Sequence, residues 1–310
     1  MFLKNSVTLL LVVIFGYAKG VIFNQHVPKR YSLNVPLNSS LRRSSYPYVS
    51  GDTFRSICNF IIDETQVEFD TDKMFDGAII FVNGDYLPYF FARIHPVIKN
   101  KYILVTHNSI HSVPGRFAEY LADEKLVSWF GKNAFNSYSK MIPIPLGIAN
   151  PHWRHGNIKI IEGIIKNKTY KKDKLLYVNF AESTHSSRKS LMNHFSKQRF
   201  SYVAKRKNFG TYLKDLAESY FVLSPQGTSI DCHRTWEALY VGCIPIVKHS
   251  EIDDLYIDLP VVIVDDWYDI NEDFLQKKII EFQEKEFNME MLFANYWINR
   301  IKRAQLLFRR

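Results

Sequence analysis

Tyr220-Phe-Val-Leu-Ser-Pro-Gln-Gly-Thr-Ser-Ile-Asp-Cys-His-Arg-Thr-Trp-Glu-Ala-Leu-Tyr-Val-Gly-Cys-Ile-Pro-Ile-Val247 is the stretch from which the rest of the 310-residue chain can be read. Tyr220 to Leu223 is a short apolar run that stops at Ser224-Pro225, the mark of a buried strand. A loop of small residues, Gln226 to Ser229, follows. Asp231 stands where a helix N-cap belongs, and Gly242 stands where a helix ends, so the spacing predicts a helix over Cys232 to Val241. A second buried strand, Ile244 to Val247, begins at once. Within the helix Trp236, Leu239 and Tyr240 face a core, while Arg234 and Glu237, three residues apart, share another face.

The N-terminus of that helix looks over the edge of a sheet. Free N–H groups and partial positive charge gather there and suit an anion such as a diphosphate. Ser224, Gly227, Thr228 and Ser229 let backbone and hydroxyls approach an oxygen-rich ligand. Arg234 can add a charge-assisted hydrogen bond to phosphate, and Glu237 can accept from ribose hydroxyls. Spacing alone fits equally well an ordinary helix with an Arg–Glu pair on its surface.

Outward from this unit, apolar strands alternate with helical patterns. Leu175 to Asn179, Phe200 to Ala204 and Val261 to Val264 read as further strands, with helices over Ser187 to Ser196 and Thr211 to Ser219. An earlier series has strands at Ala78 to Val82 and Tyr102 to Thr106, helices at Asp52 to Ile62 and Tyr86 to Ile98, and an extended, proline-marked segment at Met141 to Ile148. One or two amphipathic helices close the chain between Glu272 and Phe308. Such alternation predicts an α/β protein of parallel βαβ units. Two series give two Rossmann-like domains facing each other across a cleft, over 46–165 and 166–310, with the ligand at the carboxyl ends of the strands.

Composition agrees: 46% of residues are hydrophobic and 15% aromatic, a globular balance. The net charge of +9 favours an anionic partner. The densest basic patches, at 166–174, 197–207 and 300–310, carry no nucleic-acid-binding pattern, so no nucleic-acid partner is expected; peripheral membrane association is compatible with them. Cys58, Cys232 and Cys243 cannot all pair, and a helix would hold Cys232 and Cys243 about 16 Å apart at ~1.5 Å per residue, too far for a disulfide. Lys4, an apolar run from Val7 to Phe15, and small residues at Gly16, Ala18 and Gly20 have the layout of a signal peptide or short anchor over 1–20. This points to a secretory lumen, a periplasm or export, with 21–45 as a tether. Asn38-Ser-Ser40 and Asn167-Lys-Thr169 fit the N-glycosylation pattern.

Phe221-Val-Leu-Ser-Pro-Gln-Gly227, Arg234-x-x-Glu-Ala-Leu239, Gly242-Cys-Ile-Pro-Ile-Val247 and Asp258-Leu-Pro-Val-Val-Ile-Val-Asp-Asp-Trp267 together resemble the donor-binding segment of the exostosin-like glycosyltransferases, family 47. Ile103-Leu-Val-Thr-His-Asn-Ser109 and Pro143-Ile-Pro-Leu-Gly-Ile-Ala-Asn150 add a looser likeness. The resemblance implies the GT-B architecture and a hexosyl- or pentosyltransferase. It would move sugar from a nucleotide-sugar donor, a UDP-sugar, to a hydroxyl of a glycan or glycoconjugate acceptor, in glycan biosynthesis. It makes Arg234 a diphosphate contact and Glu237 a ribose contact, sets the Ser224–Ser229 loop beside the donor, and puts Asn179 and Arg188 at the cleft. A fucosyltransferase-like GT-B enzyme using GDP-fucose shares part of the pattern but not its Tyr-x-Thr-Glu-Lys lead-in. A glycan-binding protein without turnover could keep the same fold.

On the first-domain side, Asp52, Arg55, Asn108 and His107 fall where strands and turns should open onto the cleft. An inverting transferase needs a base near the acceptor hydroxyl. Asp85, closing Phe81-Val-Asn-Gly-Asp85 after a strand, and His107 are the candidates. Asp70-Thr-Asp72 matches a cation-binding Asp-x-Asp, but in a polar stretch outside any βαβ unit. No metal or other cofactor is expected.

Overall fold

A computed structural model describes residues 42–135, 137–167, 169–306 and 308. The leader, most of the tether and the Asn38 sequon lie outside them, as does Lys168 of the second sequon. Two parallel sheets of five strands each make up the protein. The first holds β1 (Phe60–Ile62), β2 (Ala78–Asn83), β3 (Tyr102–His107), β4 (Leu126–Lys132) and β5 (Met141–Ile144) in the order of the chain. Helix α1 (Gly51–Arg55) precedes it, capped by the Ser50 hydroxyl, which accepts from the Thr53 amide. The second sheet contains β6 (Lys174–Val178), β7 (Ser201–Val203), β8 (Ser219–Leu223), β9 (Ile244–Lys248) and β10 (Val262–Val264), ordered β10-β9-β8-β6-β7. Its helices are α3 (Ser187–Phe195), α4 (Phe209–Ala217), α5 (His233–Tyr240) and α6 (Glu272–Glu284). Helix α2 (Ile158–Lys166) comes before β6, and α7 (Ala294–Leu306) comes last. Paired parallel sheets of this kind, joined by helical crossovers, are the GT-B-like arrangement.

The first sheet runs monotonically, and right-handed crossovers put all its connections on one face. That face carries Ile80, Val82, Leu104 and Trp129, covered by Leu87, Phe90, Phe91 and Ile94 from the connection after β2. Alternate residues Ile79, Phe81, Ile103 and Val105 point the other way and would meet water. The C-terminus covers them: α7 returns from the second sheet and lays Trp297 and Ile301 in the same cluster. Its approach is fixed by the Ala294 amide donating to Pro47 O (2.9 Å), the Tyr48–Phe293 bridge, and Gln305 Nε2 donating to Gly77 O at 2.8 Å.

The second sheet is covered on both faces. Val178, Leu191, Phe195, Phe221, Leu223, Leu275 and Ile279 share one cluster. Tyr177, Val222, Leu213, Leu216, Trp236 and Leu239 belong to the other. Strand order reverses between β6 and β8, whose following segments leave toward opposite sides. Their carboxyl ends, Asn179 and Ser224, open the crevice where such sheets bind ligands.

Several elements depart from the sequence reading. The Asp52–Ile62 helix stops at Arg55, and its end is β1. Tyr86–Ile98 is a series of short 3-10, α and π turns, because Pro88 and Pro96 break a regular helix. Strand β4 was not anticipated: Ser128 and Gly131 interrupt its apolar run, although a Cβ at Gly131 would lie 2.4 Å from Val113 Cγ2. Helix α2 was also missed, its isoleucine run being poor in helix formers. It packs on α4, burying Ile161 beside Leu213 and Leu216. Residues 42–45, assigned to the tether, are packed: Ser45 is buried and Arg42 reaches the cleft. All three cysteines are free. No helix among the described residues is long and apolar enough to cross a membrane.

Trp297 is 1% exposed and holds the returning helix to the first sheet. Trp297→Ala should lower the unfolding free energy by about 3–5 kcal/mol. Urea denaturation monitored by circular dichroism checks this.

Candidate functional site

A cleft of about 1040 Å³ runs between the sheets and is lined from both sides. The second sheet contributes Asn179, Arg188, Gly227, Thr228, Ser229, Arg234 and Glu237; the first contributes Asp85, His107 and Asn108. Ten of the residues singled out from sequence therefore meet in one cavity.

The wall from the second sheet is built around α5. Its N-cap is Cys232, not Asp231, and no side chain caps it, so its first amides remain open to a ligand. Asp231 is buried and turned sideways. Its carboxylate accepts from the Leu146 amide (2.8 Å), from Trp236 Nε1 (2.9 Å) and from the Tyr256 hydroxyl (3.0 Å). Burial pushes its pKa up, and these donors and Lys132 oppose that. One carboxylate thus joins α5 to the 143–150 segment of the first sheet. Gly242, at φ +79°, ends the helix as expected.

Arg188 and Arg234 lie over the same ring, Phe180, with guanidinium carbons 5.4 and 5.8 Å from its centroid. Arg188 is occupied: its nitrogens donate to the carbonyls of Gln226 (2.9 Å), Ala181 (3.1 Å) and Pro225 (2.7 Å), shaping the loop after β8. Burial and then Arg234 push its pKa down. Arg234 Nε, by contrast, is buried with no hydrogen-bond partner. No carboxylate forms an ion pair with either arginine among the described residues. Gly227 is needed for closeness, since a Cβ there would sit 3.1 Å from Arg188 Nη2.

Glu237 is buried and accepts from the Tyr212 hydroxyl at 2.9 Å. Burial raises its pKa to about 7, against the pull of Tyr212 and Arg234. Ser229 is tied across the cleft: Lys132 Nζ donates to its hydroxyl at 2.6 Å, and Asn133 Nδ2 donates to it as well. Burial lowers the Lys132 pKa to about 8. Ser224 does not reach the cleft; it is 3% exposed and bonded to Thr235 Oγ1 at 2.9 Å. Asn179 lines the cleft while its amide holds Lys205 O at 3.0 Å.

On the first-sheet side three expectations change, those for His107, Arg55 and Asp52. His107 Nε2 sits 3.2 Å from Pro145 O, which can only accept, and Nδ1 sits 2.7 Å from the Asn108 amide, which can only donate. Both nitrogens are engaged in a neutral ring, and burial followed by Lys132 pushes its pKa to about 3. In this arrangement neither ring nitrogen is left to take a proton from a ligand in the cleft. Arg55 does not face the cleft; its Nε contacts Asp63 Oδ2 at 2.5 Å and its Nη2 donates to Thr65 at 2.8 Å. Asp85 stands at the rim with its side chain 57% exposed, 3.5 Å from His111 Nε2. Asp52 is buried under the floor, where Arg42 Nη1 and Asn108 Nδ2 hold its Oδ1 at 3.1 and 3.2 Å. Asn108 takes a left-handed conformation, φ +59°, and a Cβ on Gly51 would lie 1.8 Å from its Oδ1. Asp70 and Asp72 lie in an exposed turn away from the cleft, Asp70 capping it and pairing with Lys73 at 3.4 Å.

The sequence reading passed over Lys132, Tyr212, Arg42 and the loop Pro151-His-Trp-Arg-His-Gly156, whose His152, Trp153 and His155 line the cleft. The density of histidine and aromatic residues directly after the Pro143–Asn150 segment was the available signal for that loop.

Residues 164–306 match the family model of the RXYLT1 C-terminal domain. A relative named "Probable glucuronosyltransferase", from Oryza sativa subsp. japonica, is 29% identical over 128 residues, which are 40% of this chain and 28% of that protein. The chain is thus similar to exostosin-like glycosyltransferases, through a match that spans little more than a quarter of that relative. Among solved structures, UDP-GlcNAc 2-epimerase from Methanocaldococcus jannaschii superposes with TM-score 0.35 at 12% identity, over 74% of this chain and 76% of the other. A GtfA/B complex gives TM-score 0.37 at 11% identity, over 75% and 58%. Nothing about chemistry follows from those two superpositions.

Because the folded-state pKa of Glu237 is raised from 4.5 to about 7, the folded protein keeps a proton that the unfolded chain releases. The associated stability is fully present below pH 4.5 and lost as pH rises through 7. Glu237→Gln, which cannot ionise, should melt above the parent at pH 8 and lose that advantage by pH 4.5; calorimetric melting at both pH values checks the sign.

Proposed function

We propose that this protein is a glycosyltransferase whose nucleotide-sugar donor, a UDP-sugar, lies in the crevice between β6 and β8. The observation that carries the reading is Arg234: a buried guanidinium nitrogen without a partner, in the first turn of a helix whose N-terminus no side chain caps. Both features call for the same ligand, a diphosphate. A second guanidinium across Phe180 deepens the positive potential without competing for the ligand, because carbonyls hold it. Glu237 stands three residues further along the helix with one oxygen bound by Tyr212, suited to a ribose hydroxyl. The resemblance to exostosin-like transferases supports the choice of a sugar nucleotide over other diphosphates.

Charge neutralisation in this scheme comes from Arg234, the α5 amides and Lys132, so donor binding needs no divalent cation. The acceptor is a hydroxyl of a glycan or glycoconjugate, entering from the first-sheet side.

Calorimetry with UDP tests the assignment. Arg234→Ala should weaken binding by about 1.5–3 kcal/mol, the worth of hydrogen bonds to a charged group, and Arg234→Lys should restore only part of it. Affinity should be unchanged in EDTA and in the Asp70→Ala/Asp72→Ala double variant. Equal affinity of Arg234→Ala and parent for UDP would move the donor site elsewhere.

A further inference from the structure

Beneath the first-sheet wall of the cleft, Asp52 lacks something. Its side chain is fully buried, and Oδ1 is well supplied by Arg42 and Asn108, while its backbone amide donates to Asn150 Oδ1 at 2.8 Å. Oδ2 is buried too, yet no donor hydrogen-bonds to it. A buried carboxylate oxygen without a donor is costly, and each such group in a folded protein calls for an explanation. The nearest candidate is His152, whose Nδ1 lies 3.6 Å from Oδ2. Its side chain is about one-third exposed and lines the cleft. With Nδ1 turned to the carboxylate, Nε2 is the nitrogen left for the cavity.

Asp52 itself is firmly placed. Arg42 also pairs with Glu64, Asn150 Nδ2 donates to Asn108 Oδ1 at 2.9 Å, and a side chain at Gly51 would displace that network. Beside His152 stands Trp153, 56% exposed, its ring 5.2 Å from the imidazole. His155 stacks beyond it at 6.2 Å. An exposed indole inside a polar cleft offers a flat apolar face to the C–H side of a sugar ring.

We propose that His152 is the catalytic base, that Asp52 is its positioning residue, and that Trp153 is the platform on which a saccharide acceptor stacks. This rests on the donor reading above. His152 Nε2 takes the proton of the acceptor hydroxyl, and that oxygen attacks the anomeric carbon from the face opposite the diphosphate. The anomeric carbon–oxygen bond breaks with its electron pair going to the nucleotide diphosphate, and the proton on His152 passes to solvent. The product has inverted configuration at the anomeric carbon. Asp52 keeps Nδ1 protonated so that Nε2 stays unprotonated, and it stabilises the imidazolium formed during transfer. At 3.6 Å, Nδ1 is within ion-pair range of Oδ2, and a small rotation of the imidazole closes the hydrogen bond.

Two measurements on the full chain test the pair. The first is release of UDP from UDP-glucuronic acid with a panel of oligosaccharide acceptors added, alongside calorimetric binding of UDP. His152→Ala should lower kcat at least 100-fold with UDP affinity within twofold of parent, and added imidazole should restore part of it. Asp52→Asn should lower kcat ten- to 100-fold, and Trp153→Ala should act mainly through acceptor KM. Turnover by His152→Ala within threefold of parent overturns the proposal. The second is nitrogen NMR of His152, which does not depend on activity. The parent should show Nδ1–H and unprotonated Nε2, and Asp52→Asn should lose that preference. Nε2–H in the parent overturns the pair even if UDP binds, whereas absence of UDP binding with the Nδ1–H form present sinks only the donor reading.

Discussion

A single buried carboxylate at the seam between the sheets sets where everything in the cleft can stand. Asp231 lies beside the first turn of α5, yet its oxygens are spent on the Leu146 amide, Trp236 and Tyr256. Leu146 belongs to the segment after β5, so the first sheet is fastened directly to the start of α5. The Asp231 amide donates to Asn133 Oδ1 at 3.2 Å, which adds the end of β4 to the same joint. Removing a partner from a buried charge is strongly unfavourable, which makes this a rigid hinge point between the walls. With Asp231 committed to the seam, the N-terminus of α5 goes uncapped, and the opening that a capping side chain would have filled faces the cleft.

The rest of the joint follows from the same geometry. Val49 N donates to the Tyr240 hydroxyl at 3.1 Å, and that hydroxyl donates to Leu292 O. The end of α5, the start of the described chain and the approach to α7 therefore meet at one side chain. Cleft residues divide by whether the protein has already satisfied them. Arg188, Ser224, Ser229 and His107 are held by hydrogen bonds to protein atoms and shape the walls. Arg234 Nε and Asp52 Oδ2 are buried with no hydrogen-bond partner, one on each wall.

Much of this was legible in the sequence because it depends on local pattern. The strand ending at Leu223, the helix ending at Gly242 and the strand that follows are written in apolar runs and one glycine. Arg234 and Glu237 share a face because helical spacing demands it. What could not be read depends on contacts made across long separations. Asp231 looks like an N-cap because position is all that sequence offers, and only the arrival of Leu146, 85 residues earlier, diverts it. His107 stood as a candidate base because sequence cannot show that Pro145 O takes up one of its nitrogens. The weakness of Ser128 and Gly131 as strand residues hid β4, whose place is fixed by parallel pairing with β3 and β5. The return of α7 is likewise a consequence of a one-sided sheet that must be covered.

The measurement that bears most directly on this account is a crystal structure of the protein with UDP bound. The diphosphate should lie over the first turn of α5, with Arg234 Nε donating to it and the ribose beside Glu237. The Asp231 contacts to Leu146, Trp236 and Tyr256 should be unchanged. UDP found on the first-sheet wall, or at the Asp70–Asp72 turn, with Arg234 Nε still unpartnered, would contradict it.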